Sequence, residues 1–128
     1  MPTKLLRGIN TGLTLSVLTL FVLFAGCTKD EDPVDTIDCT GLTPTYTADI
    51  KAILDASCAK SGCHDSATQS DGKNLSNYAG ASAVSVTNEF LGAIQHRQGF
   101  IPMPKDGPQL DADKVRLLSC WVQNGSPN

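Results

Sequence analysis

An all-α protein follows from three features of this 128-residue chain. Apolar residues recur at helical spacing before Cys58 and again after Asp111. Capping residues and glycines fall near the ends of such stretches, and no run alternates apolar and polar residues at period two. Helices are therefore expected and strands are not.

Residues 1–26 read as an export signal. Lys4 and Arg7 supply the positive start, and Leu13 to Phe24 supply an apolar stretch too short to span a bilayer comfortably. The run Phe24-Ala25-Gly26-Cys27 resembles the lipobox of bacterial lipoproteins, in which the signal is cleaved and the new N-terminal Cys27 is acylated. Phe24 stands where leucine is more usual, and an ordinary signal peptide with a chance cysteine is the alternative. Several acyl chains on one residue anchor a protein stably, so the partner expected at this end is a lipid bilayer. Residues 27–44 form the anchor and an acidic linker. Thr28-Lys29-Asp30-Glu31-Asp32-Pro33 reads as a solvated tether, or as a tag of the kind that sends lipoproteins of some Gram-negative bacteria to the cell exterior. The expected location is the envelope of a Gram-negative bacterium, lipid-anchored and facing the periplasm or the cell surface.

The remaining folded part, residues 45–128, is enough for one small domain. Loss of Lys4 and Arg7 with the signal takes the formal charge from −3 to −5, which makes nucleic acid an unsuitable partner.

The first helix has Thr47 as its expected N-cap, Asp49 at its positive end, and Ile50, Ile53 and Leu54 on one face up to Cys58. It delivers Cys58-Ala59-Lys60-Ser61-Gly62-Cys63-His64, two thiols and an imidazole within seven residues. One covalently held haem uses all three: the cysteines as thioethers to the porphyrin and His64 as proximal ligand to the iron. The usual attachment pattern has two residues between the cysteines and this chain has four. The extra pair must loop outward, which Gly62 permits. Two other readings stand beside it: a Cys58–Cys63 disulfide, and a zinc site of Cys58, Cys63, His64 and His96.

Asp65 to Lys73 is polar and carries the turn signal Asp71-Gly72, so a loop around the haem edge is expected. Ser76 is the expected cap of a short helix from Tyr78 to about Val86. Asn88 to His96 forms another, with Phe90, Leu91 and Ile94 as its apolar stripe and Gly99 after its end. In Gly99-Phe100-Ile101-Pro102-Met103-Pro104 the prolines hold the methionine in a stiff, extended segment. Met103 reads there as a distal iron ligand, with core filler as the bland alternative. His96 reads as a helix-terminal histidine, with replacement of Met103 at the iron as its second reading. The last helix starts at Asp111 and runs to about Asn124, with Leu117, Leu118, Trp121 and Val122 on its apolar side and Gly125 at its stop.

An exported chain does not leave reactive thiols idle. With Cys27 assigned to lipid and Cys58 and Cys63 to haem, Cys39 and Cys120 remain, and a disulfide between them is expected. The alternative leaves both reduced, with Cys120 buried.

The order of parts, an amphipathic helix, Cys…Cys-His, a loop, short helices, a Met-Pro loop and a terminal helix with a tryptophan, resembles a single-domain class I cytochrome c. The resemblance spans Thr45 to Pro127 and is strongest to small bacterial lipoprotein cytochromes, on Pro102-Met103-Pro104 and Gly107 before the last helix. It implies a small helical domain packed around one covalent haem c, attached at Cys58 and Cys63, with His64 proximal and Met103 distal. It further implies a carrier of single electrons between redox partner proteins, and no bond-making chemistry by the protein itself. The alternatives of other classes are a non-haem lipoprotein interaction module with disulfides or zinc, and a haem enzyme or sensor whose distal ligand leaves easily.

Overall fold

The computed structural model describes residues 37–128; the signal, Cys27 and the linker before Ile37 lie outside the described residues. The described chain is helical and holds no strand, in agreement with the all-α expectation. A π-helical turn, Tyr46–Ile50, runs straight into α1, Lys51–Ser57. A 3₁₀ turn at Ser70–Gly72 interrupts the following loop, and α2 (Tyr78–Ser85), α3 (Asn88–Ile94) and α4 (Ala112–Gln123) complete the domain.

Three helix ends differ from their expected residues, each for a local reason. The first helix is capped by Thr45, not Thr47. Thr45 Oγ1 accepts from the Ala48 N–H at 3.3 Å while Asp49 Oδ2 accepts from the Thr45 N–H at 2.9 Å, a reciprocal cap. Thr47 faces out and its hydroxyl meets the Asn128 side chain. At α2 the Asn74 carboxamide oxygen accepts both the N–H and the hydroxyl of Ser76, so Asn77 caps the helix by accepting from the Gly80 N–H at 2.9 Å. Helix α3 stops at Ile94, short of His96, because His96 turns into the left-handed region with φ of 53°. Asp111 does stand at the N-cap position of α4, but its carboxylate takes the Lys114 ammonium at 2.8 Å instead of a backbone amide.

The core gathers one face of each long element. Ile50, Leu54, Leu118 and Trp121 have no exposed surface, and Tyr46, Leu75, Phe90 and Ile94 close around them. Burial of this kind is the main favourable term in folding. The Tyr46 ring lies 5.4 Å from Tyr78 and 6.3 Å from Trp121, centroid to centroid, which joins the first helix to α2 and α4. After α4 the tail folds back over this cluster. The Pro127 carbonyl accepts from the Tyr46 N–H at 2.9 Å and from Trp121 Nε1 at 2.8 Å, and Ser126 meets Ser85 in a buried hydroxyl pair at 2.6 Å.

Cys39 and Cys120 are joined as expected, tying the segment before the first helix to the last turn of α4 across 81 residues of sequence. The alternative of two reduced thiols is set aside.

Candidate functional site

Helix α1 ends on Cys58. The N–H groups of Cys58 and Ala59 both donate to the carbonyl of fully buried Leu54, at 2.8 Å each, so the core itself sets where the first thiol begins. The chain then closes a small loop: the Cys63 N–H donates to the Lys60 carbonyl at 2.9 Å and the His64 N–H returns to the Cys58 carbonyl at 3.1 Å. Lys60, Ser61 and Gly62 are exposed, with Gly62 at φ of 82° and open space beside it, so the residues in excess of the usual spacing bulge outward. Thr68 Oγ1 accepts from the Gly62 N–H at 3.1 Å and Asp65 Oδ1 from the Thr68 N–H at 2.6 Å, which holds the loop's outer side.

His64 is gripped from behind by the segment after the 3₁₀ turn. Its carbonyl accepts from the N–H of buried Leu75 at 2.8 Å, and its Nδ1 lies 3.2 Å from the carbonyl oxygen of Lys73. A carbonyl oxygen only accepts, so Nδ1 is the donor of this pair, and in the neutral imidazole Nε2 is then the nitrogen with the free lone pair. The Lys73 ammonium pairs with Asp71 and, at 3.3 Å, with Glu89 of α3, which ties this backing segment to the rest of the domain.

Cys58 is half-buried and Cys63 exposed, and neither is paired. The alternative disulfide between them is thus not formed, although the other two cysteines of the described chain are joined. Burial first, and the neighbouring Cys63 thiol second, push the Cys58 thiol up to about 11, with Lys60 acting in the opposite sense. Among the described residues no three His, Cys, Asp or Glu side chains gather into one cluster, and His96 Nε2 lies against the Met103 carbonyl.

Met103 is half-buried and stands outside the described apolar core, so it is not core filler. Its N–H donates to the Ala93 carbonyl at 3.0 Å, and its own carbonyl lies 3.0 Å from His96 Nε2. The Met103–Pro104 peptide is cis. Behind this segment Phe100 lies flat on Gly92, where any Cβ would overlap its ring, and the Arg97 guanidinium covers the Phe100 ring at 5.2 Å.

An open cleft of about 340 Å³ lies near both segments, although none of Cys58, Cys63, His64 and Met103 lines it. Its lining includes Ser57 and Lys60, near Cys58 in sequence, and Pro104, Gly107 and Pro108, which follow Met103. The Cys-His loop and the methionine loop therefore border one concavity. Sequence reasoning missed Lys73, whose backbone carbonyl orients His64, and Ala93, whose carbonyl holds Met103; backbone acceptors leave no signal in side-chain identity. Gly80 and Gly92 had a faint one, as glycines inside short helices.

No family model, curated protein or solved structure matches this chain.

Proposed function

We propose that the chain is a membrane-anchored c-type cytochrome that carries single electrons between redox partners of the cell envelope. The observation that carries this reading is the state of the Cys-His loop: two unpaired thiols beside an imidazole whose Nδ1 is spent on the Lys73 carbonyl and whose Nε2 is left to bind a metal. Metal-ligating histidines characteristically give their second nitrogen to such an acceptor.

This donor set fits a covalent haem. Cys58 and Cys63 would hold the porphyrin through thioethers, and His64 Nε2 and Met103 would bind its iron. When bound, the haem would supply a one-electron couple whose potential a methionine ligand raises. The chain's own residues supply orientation. The Nδ1–H bond to the Lys73 carbonyl fixes the orientation of the His64 ring and leaves Nε2 as the nitrogen able to bind a metal. The Ala93 carbonyl and the His96 imidazole hold the Met103 backbone in place, and a position held on both sides favours transfer with little rearrangement. Acylation at Cys27 would keep the domain at the membrane surface. The domain's acidic balance suits partners with basic docking surfaces.

The test is to express the full chain alongside a c-type maturation system and record its spectrum. A single haem c absorption pattern with a far-red sulfur-to-iron band is expected, and Met103→Ala abolishes that band and lowers the potential. A colourless product made beside a working maturation system contradicts the reading.

A further inference from the structure

We propose that His96 is a positioning residue for Met103, an imidazole clamp presented by a strained helix stop. The inference rests on the electron-carrier reading for its consequence, since there Met103 is the distal ligand.

Helices α3 and α4 end in the same pattern. At α4 the Gly125 N–H donates to the Val122 carbonyl and the Ser126 N–H to the Trp121 carbonyl. At α3 the His96 N–H donates to the Ala93 carbonyl and the Arg97 N–H to the Gly92 carbonyl. Both are double-bonded helix stops that need one residue in the left-handed region. Glycine fills that place at α4, with φ of 83°, whereas α3 uses His96 at φ of 53°. An L side chain carries a steric cost there that glycine avoids, and such strain persists where the side chain does something in return.

The return is visible in the next loop. His96 Nε2 lies 3.0 Å from the Met103 carbonyl oxygen, and because that oxygen only accepts, the imidazole is the donor. With the Met103 N–H on the Ala93 carbonyl, both backbone polar groups of the methionine are tied to the end of α3. Its neighbours Pro102 and Pro104 have no N–H to offer, and Ile101 is 69% exposed, so the apolar core does little to hold this segment. His96 acts on the site through Met103.

Replacing His96 by glycine separates the clamp from the helix stop, because glycine is the better stop. In haem-loaded H96G the far-red sulfur-to-iron band should weaken and added imidazole should bind the ferric protein on the order of tenfold more tightly, the effect of losing about one net hydrogen bond, while Tm holds or rises. H96Q, which keeps an N–H donor, should restore most of the band. In full chain purified without haem, peroxide should convert Met103 to its sulfoxide faster in H96G than in the parent. An unchanged band, imidazole affinity and oxidation rate overturn the proposal, as does a fall in Tm that H96Q fails to rescue. Should the chain take up no haem, the electron-carrier reading fails, and the peroxide comparison still decides the clamp.

Discussion

The Nδ1 of His64 donates to the carbonyl oxygen of Lys73 at 3.2 Å, so the orientation of the ring depends on where the backbone of residues 73–75 lies. The next residue, Asn74, has its own carbonyl pressed against Gly80 of α2, leaving no room for a Cβ there. Gly80→Ala should therefore push the backing segment and α2 apart, and backbone cannot yield as a flexible side chain does. A loss of about 2–3 kcal/mol is expected by urea denaturation. Stability equal to that of the parent would mean that α2 has freedom to shift at this contact.

The two thiols of the loop should react very differently in chain lacking haem. Cys63 is exposed, whereas burial raises Cys58 from an ordinary 9.0 to about 11. The thiolate is the nucleophile, so at pH 8 iodoacetamide should label Cys63 first and leave Cys58 largely unmodified, as read by peptide mass mapping. The linked effect on stability has a definite sign. A folded-state value above the unfolded one stabilises the fold below pH 9, and that contribution is lost as pH rises through about 11. Equal labelling of both cysteines at pH 8 would count against the buried placement of Cys58.

The Cys39–Cys120 bridge closes a loop of 81 residues. By the chain-entropy relation this restricts the unfolded state by roughly 4–5 kcal/mol. The double variant C39A/C120A should unfold at correspondingly lower urea concentration, with its helical circular dichroism retained before the transition. A change below about 1 kcal/mol would place the bridge's effect outside the chain-entropy account.

Trp121 is fully buried, packs near Tyr46 and gives its Nε1–H to the Pro127 carbonyl. Trp121→Ala should cost about 3–5 kcal/mol from lost burial and the cavity left behind. Trp121→Phe keeps most of the apolar volume and leaves the Pro127 carbonyl its bond from the Tyr46 N–H, so it should cost far less. Thermal unfolding of the two variants separates packing from the hydrogen bond.

Much of the helical order was readable because periodicity and glycine stops act locally. Ile50, Ile53 and Leu54, and Leu118 with Trp121, are buried as their spacing requires, and the Cys39–Cys120 pairing followed from accounting for every cysteine. The caps lie one or two residues from the expected ones because the expected side chains, Thr47 and Ser76, are engaged elsewhere. Ser76 is engaged by Asn74, and Thr45 reaches Asp49 in a way that Thr47 does not. The placement of Cys58 at a helix end, of Cys63 and His64 in the loop after it, and of Met103 between two prolines could be anticipated from their spacing in the sequence. The holding of His64 by the Lys73 carbonyl and of Met103 by Ala93 and His96 could not, because backbone acceptors are the same at every residue and only the fold brings them near.

The intact mass of the full chain, matured beside a c-type haem-attachment system and then denatured, bears most directly on covalent haem at Cys58 and Cys63. A gain of one haem that persists in denaturant and vanishes in C58A/C63A is the expected result. A denatured chain at its haem-free mass, from cells that attach haem to a control cytochrome, would contradict it.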